Sequence, residues 1–365
     1  MTGDADRGRR LRIAMIAPPW YPVPPPAYGG IESVVAVLSD ALVARGHHVE
    51  LFCARGSTST ATVRPLLRPR PDSIERAIFE VDHVARAFAA IDVAARGDGR
   101  FDVVHDHCGF TTLAMADRLA TPVVHTVHGP FDEDAKAFYA RHGSKGLIVC
   151  LSRAQARGAP AHMRIGAIVP NPIDLAQWPQ RDEVREHLLW IGRMNPVKGP
   201  HLAIRVAGAS GLPLVLAGPV QPGFEEFFAS EVAPHVDGEQ IRFAGEVGGE
   251  DKRRLYAQAR ALLMPIRWSE PFGMVMIEAL ASGTPVLAFP SGAAPEIVIH
   301  GETGFLVDDE AEMAQMIEPA MQLEAARCRA SVAERWTPER VAAGYESVYR
   351  AALRPAPSRV VEPAA

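Results

Sequence analysis

Short, strongly apolar runs alternate along the chain with longer segments whose apolar residues return every three or four positions. The first pattern predicts buried strands and the second amphipathic helices. Strands are predicted at residues 11–17, 48–53, 102–105, 122–127, 147–151 and 165–169, with helices at 31–45 and 74–95 between them. A second series of strands follows at 187–191, 213–217, 241–244, 261–266, 285–289 and 304–307. Continuous apolar strands separated by helices imply parallel sheets covered on both faces. Two such series predict two doubly wound α/β domains, 1–170 and 171–337. The joint at 170–179 carries Pro170, Pro172 and Pro179 and suits a semi-rigid connector. Residues 354–365 are Pro/Ala-rich and are expected to be a disordered tail.

Composition changes this picture little. With 365 residues, 48% hydrophobic and 22% charged, the chain can bury two sizeable cores. A net charge of −5 gives no electrostatic reason to expect a nucleic-acid partner. Cys53, Cys108, Cys150 and Cys328 form no C-x-x-C pair, so they read as small core residues of a reducing compartment. The apolar run 13–17 is too short for a secretory leader, and no run approaches the roughly 20 residues of a membrane span. A cytoplasmic protein is therefore expected, with peripheral contact at the inner membrane face left open. Arg64, Arg68, Arg70 and Arg76 could meet anionic lipid heads, although a solvated loop is the preferred reading.

The chemistry concentrates in the stretch S-E-P-F-G-M-V-M-I-E-A-L-A-S-G, residues 269–283. Pro271 near its start and Gly283 at its end predict a helix at 272–282. Its first turn would offer the amides of Gly273 and Met274 to a phosphate. Glu270 and Glu278 would repel a phosphate, so they are better placed to accept from hydroxyls on either side of one. A nucleotide sugar has that layout. The competing reading makes the two acids a solvated cap and a surface residue, but Glu278 stands among Ile277, Ala279 and Leu280 and needs a partner. Met274, Met276, Ile277, Leu280 and Ala281 read as core packing. Upstream, G-R-M-N-P-V-K-G follows a strand directly. It puts Arg193 and Lys198 on a loop where two cations can neutralise a diphosphate.

In the first half, loop 18–30 holds six prolines and ends in Gly29-Gly30, where the backbone can approach a ligand or simply turn. It is not G-x-G-x-x-G, so no dinucleotide fingerprint is present. His105-Asp106-His107-Cys108 invites a metal reading, but strand neighbours point to opposite faces. Residues lining a cleft are the preferred reading there. His125 falls mid-strand, whereas His128 falls at the strand end beside Gly129-Pro130 and is the better site candidate. Asp132-Glu133-Asp134 resembles an acidic metal-holding motif, but an acidic helix N-terminus is preferred.

Together, G-R-M-N-P-V-K-G, S-E-P-F-G-M-V-M-I-E-A-L-A-S-G-T-P-V-L-A, G-E-T-G-F-L-V, V-P-N-P-I-D and Y-G-G-I-E resemble retaining glycosyltransferase family 4 over most of the chain. The resemblance implies a GT-B fold, two Rossmann-like domains facing across a cleft, with a nucleotide-diphosphate sugar in the second domain and the acceptor in the first. Arg193 and Lys198 would hold the diphosphate, Glu270 the transferred sugar and Glu278 the ribose. Phe272, Gly273, Met274 and Val275 would supply backbone contacts, with Gly30 facing the diphosphate from the other domain. His128 would approach the reacting carbon. Contacts to the base are expected around Gly218-Pro219 and Gly245-Glu246-Val247. No metal or other cofactor is implied. The acceptor would be a sugar, a lipid-linked sugar or a small molecule, and helix 338–353 would cross back to the first domain. A nucleotide-sugar epimerase or hydrolase on the same fold, or a non-catalytic sugar-binding protein, are the alternatives.

Overall fold

The computed structural model describes residues 9–71, 74, 76–161, 163–180 and 185–354. Of the expected tail 354–365, residues 355–365 lie outside the described residues. The first sheet contains β1 (Arg12–Ile16), β2 (His48–Ala54), β3 (Thr62–Leu67), β4 (Val103–Asp106), β5 (Val123–Thr126), β6 (Leu147–Cys150) and β7 (Ile165–Ile168). Their order is β3-β2-β1-β4-β5-β6-β7, and every pairing is parallel. The second sheet contains β8 (His187–Ile191), β9 (Leu214–Ala217), β10 (Ile241–Gly245), β11 (Ala259–Met264), β12 (Val286–Ala288) and β13 (Gly304–Leu306). Its order, β10-β9-β8-β11-β12-β13, is that of a Rossmann sheet, and it too is wholly parallel.

Helices cover both faces of each sheet because the central strands are buried on both sides. Ile13, Met15 and Val103 pack into one cluster of the first domain, and Ala14, Ile16 and Val104 into the opposite one. Leu189 and Leu262 face one side of the second sheet, and Leu188 and Leu263 the other. All four cysteines are buried. No helix among the described residues is long and apolar enough to cross a membrane.

One predicted loop is a strand. The segment holding Arg64 forms the edge strand β3, and Arg64 Nε donates to Glu50 on β2 at 2.8 Å. Arg70 and Arg76 instead lie over the Phe79 ring. Pro65 and the polar alternation hid this strand, but a proline is tolerated at a sheet edge, where its missing N–H breaks no ladder.

The chain passes between the two cores twice. Val169 belongs to the first core and Ile173 to the second; Trp336 belongs to the second and Val341 to the first. Ile173 N–H donates to the Trp336 carbonyl at 2.9 Å, so the two crossings are stitched together. The final helix, Pro338–Leu353, lays Val341, Tyr345, Val348 and Tyr349 on the first domain's core. Thr337 caps its N-terminus. Across the cleft, Glu296 accepts from the amides of Arg153 (3.0 Å) and Ala154 (2.6 Å), capping a helix start of the first domain from the second.

Candidate active site

In an open parallel sheet, ligands bind beyond the carboxyl ends of the strands where the strand order reverses. In the second sheet that reversal falls between β8 and β11. The loop after β8 carries Arg193 and Lys198; the loop after β11 carries Trp268 and Glu270. In the first sheet the reversal falls between β1 and β4, whose loops carry Gly29-Gly30 and His107. The two reversal points face one another. Tyr28, Gly30 and His128 from the first domain share a cavity of about 290 Å³ with Arg193, Lys198 and Glu270 from the second. Glu246, Val247, Phe272, Gly273, Met274, Val275 and Glu278 complete its wall.

The helix on the floor of this cavity is Met274–Ala281, shorter at its start than the sequence predicts. Pro271 does not open it. Gly273 does, as an N-cap at φ 89°, a conformation that costs a glycine little. The first inward bond runs from Met276 N–H to the Gly273 carbonyl at 3.0 Å. The amides of Met274 and Val275 therefore precede the intrahelical ladder, and no cap side chain accepts from them. That end is a ready anion site.

Each glutamate is gripped by a lysine. Lys198 Nζ donates to Glu270 Oε2 at 2.6 Å, and the Trp268 indole donates to the same oxygen at 2.8 Å. The ammonium lies 4.2 Å from the Trp268 ring centroid. Burial pushes the Lys198 ammonium down from the usual lysine range, while Glu270 opposes that shift. Glu278 is 5% exposed; its Oε1 accepts from Lys252 Nζ at 2.6 Å and its Oε2 from the Tyr256 hydroxyl at 2.8 Å. The surface-residue reading of Glu278 is thereby excluded. The sequence does not mark out Tyr256, Trp268 or Lys252 as site residues. Lys252 stands beside Arg253 and Arg254 on a polar helix, and only the fold turns it toward Glu278.

Gly292 holds the Glu270 loop in place. At φ 57° it runs so close that a Cβ would sit 2.3 Å from both the nitrogen and the carbonyl oxygen of Glu270. The next amide, Ala293, donates to that carbonyl at 2.9 Å. Gly292→Ala is expected to displace Glu270 and to lower kcat/KM by about 10- to 100-fold, since small misplacements of a positioning group are costly. Steady-state kinetics beside a thermal melt checks this; wild-type kinetics would show that the loop yields freely.

On the first domain's side, a Cβ at Gly30 would meet nothing within 4 Å, so the helix Gly30–Ala44 presents bare backbone to the cavity. Beneath it Glu32 is buried, and that burial raises its carboxyl to about 7. Tyr28 N–H donates to Glu246 Oε1 at 3.0 Å, a further bond between the domains. His128 lines the cavity and pairs with His107 through Nε2 and Nδ1 at 2.9 Å. Burial, reinforced by His125, takes the His128 imidazole down to about 3, so it is neutral at working pH.

The rest of the first domain's histidine motif is not cleft lining, contrary to the sequence expectation. His105 hydrogen-bonds the Tyr349 hydroxyl (2.7 Å) and Thr126 Oγ1 (2.9 Å) inside the sheet. Asp106 accepts from Thr112 at 2.8 Å and pairs with His125 at 2.6 Å. His125 is a satisfied core residue, bonded also to the Tyr139 hydroxyl. Apart from Thr112, six residues on from Asp106, these partners come from the next strand, from the helix Glu133–His142 and from the last helix, beyond what local sequence reveals. Asp132 caps the helix Glu133–His142 by accepting from Ala135 N–H at 2.8 Å. Among the described residues no three metal-capable side chains converge.

Two parallel Rossmann-like sheets facing across a shared cleft define a protein of the GT-B class. The model of glycosyltransferase family 4 matches residues 28–177, and that of the glycosyl transferases group 1 matches residues 176–335. This chain belongs to family 4 of the glycosyltransferases. A D-inositol 3-phosphate glycosyltransferase from Pseudarthrobacter chlorophenolicus is 25% identical, with 94% of this chain and 96% of the relative aligned. The crystal structure of AviGT4, a glycosyltransferase involved in avilamycin A biosynthesis, is 28% identical with TM-score 0.69, covering 94% of this chain and 98% of that one. HepE of Anabaena, solved in complex with UDP-glucose, shares the fold at 18% identity and TM-score 0.68, covering 94% of this chain and 100% of that one.

Proposed function

We propose that this glycosyltransferase moves a hexosyl unit from a nucleotide-diphosphate sugar to an acceptor hydroxyl, with retention at the anomeric carbon and no metal requirement. The second domain (171–337) holds the donor and the first (1–170) presents the acceptor, with the helix 338–353 tying them together. One observation carries this reading: Arg193, Lys198 and the open N-terminus of the Met274–Ala281 helix line one cavity, with Glu270 and Glu278 flanking them. Two cations and a helix start suit a pyrophosphate, and acceptor-only carboxylates on either side suit hydroxyls. The complex of HepE with UDP-glucose supports a donor of that type.

In this reading Arg193, Lys198 and the amides of the 272–275 segment stabilise charge as the diphosphate departs. Glu270 orients the transferred sugar, and Glu278 accepts from the ribose hydroxyls. Gly30 approaches the diphosphate from across the cleft, and neutral His128 stands near the reacting carbon. The loops at Gly218-Pro219 and Gly245-Glu246-Val247 contact the base. The departing phosphate oxygen takes the acceptor's proton, so the protein needs no separate base on that face.

A panel of nucleotide sugars tests this. The true donor should raise the melting temperature in a dose-dependent way, by an amount equivalent to about 2.7 kcal/mol at a hundredfold excess over Kd. An α-configured donor should give an α-linked product, read from its anomeric proton coupling. A β-linked product would overturn retention. Product formation without acceptor would favour the epimerase or hydrolase, and stabilisation by plain sugars alone would favour a binding protein.

A further inference from the structure

Glu278 and Lys252 make a hydrogen-bonding pair that fits one ligand group. The helix Gly249–Ala257 puts Lys252 and Tyr256 four residues apart, on one face, against the carboxylate of the neighbouring Met274–Ala281 helix. Tyr256 is fully buried, and burial together with Glu278 keeps its hydroxyl protonated, far above the usual tyrosine range. It therefore serves only as a fixed donor to Oε2. Lys252 differs. Its side chain is 24% exposed against 7% for that of Glu278, and both residues line the cavity. An ammonium carries three donors and no acceptor, and one of the three is committed to Glu278 Oε1 at 2.6 Å. Each carboxylate oxygen, having taken one bond, keeps a lone pair for another.

A ribose diol brings two hydroxyls, each a donor and an acceptor. A carboxylate alone meets only half of that demand, because it cannot donate. Lys252 supplies the missing donors within reach of the same carboxylate. We infer that Lys252 is a donor-binding residue that reads the ribose diol jointly with Glu278, giving the enzyme its preference for ribonucleotides over deoxyribonucleotides. This rests on the proposed donor, and on Glu278 facing its ribose.

The test is a cycle between protein and ligand by isothermal titration of the full-length chain. UDP, ADP and GDP are titrated first, and the tightest binder is compared with its 2′-deoxy and 3′-deoxy analogues in wild type and in Lys252→Met. Wild type should bind at least one deoxy analogue about 10- to 50-fold more weakly, because a polar group built for that hydroxyl is left unmet. In K252M that ratio should shrink by about fivefold or more. If K252M weakens all three ligands by one common factor, Lys252 is only a counter-ion for Glu278 and the inference falls. Should K252M melt without cooperativity, Lys252→Ala, which removes the donors and leaves room for water beside Glu278, gives the same reading: a smaller ratio supports and an unchanged one overturns. Failure of every nucleoside diphosphate to bind wild type would overturn the proposed donor itself, and the inference with it.

Discussion

Lys198→Ala is expected to lower kcat by about 10²- to 10³-fold, the usual scale for losing one group that stabilises transition-state charge. The expectation follows from where the ammonium sits. Its nitrogen is 2.6 Å from Glu270 and rests on the Trp268 ring, on the loop after β8 at the reversal of strand order. Without it, Glu270 keeps only the indole as a charge-neutral partner, and the departing diphosphate loses a fixed cation. Glu270→Ala and Arg193→Ala should fall in the same range. The double variant K198A/E270A should lose less than the product of the single losses, because the two side chains act as a unit. Single-turnover rates beside a thermal melt separate this from misfolding. Wild-type rates in all three single variants would reject the assignment.

The second large effect concerns stability. Glu346, 7% exposed on the last helix, accepts from Arg45 Nε (2.6 Å) and Nη2 (2.9 Å) and from His47 Nε2 (2.9 Å). His47 Nδ1 already accepts from Leu11 N–H, so Nε2 carries the proton and donates. Burial by itself would raise this carboxyl, but the bonds from Arg45 and His47 outweigh it and bring it down to about 2. Against an ordinary glutamate near 4.5, that is about 3 kcal/mol of stability. Because the folded value is depressed, the contribution is full above pH 4.5 and is lost as pH falls through about 2. Glu346→Gln should therefore cost about 3 kcal/mol near neutrality, leaving Arg45 and His47 without their anion. The gap from wild type should close as the medium is acidified toward pH 2. Urea unfolding across that range checks both parts, and a gap that stays constant with pH would show that Glu346 contributes through packing alone.

The sequence revealed the two sheets because their strands are buried on both faces and so appear as unbroken apolar runs. β3 escaped because an edge strand with Pro65 and Arg64 looks like a loop. The Met274–Ala281 helix is legible in the sequence, but its start falls two residues later than predicted. Pro271 is a common first-turn residue, but the left-handed Gly273 at φ 89° interrupts the helical run ahead of Met274. Arg193, Lys198 and Glu278 stand out because each breaks a local rule, charge soon after a buried strand or acid inside an apolar helix, and Glu270 stands out by its place just ahead of that helix. Lys252 and Tyr256 break no such rule. His105 and Asp106 break one and mislead, since partners on β5, on the last helix and at Thr112 satisfy them in the core.

The most direct test of the central claim is a crystal structure with a nucleoside diphosphate bound. The account predicts the pyrophosphate against Arg193, Lys198 and the amides of Met274 and Val275, with the ribose hydroxyls on Glu278. A pyrophosphate bound elsewhere, or a Glu278 that keeps only Lys252 and Tyr256 while the ribose points away, would contradict it.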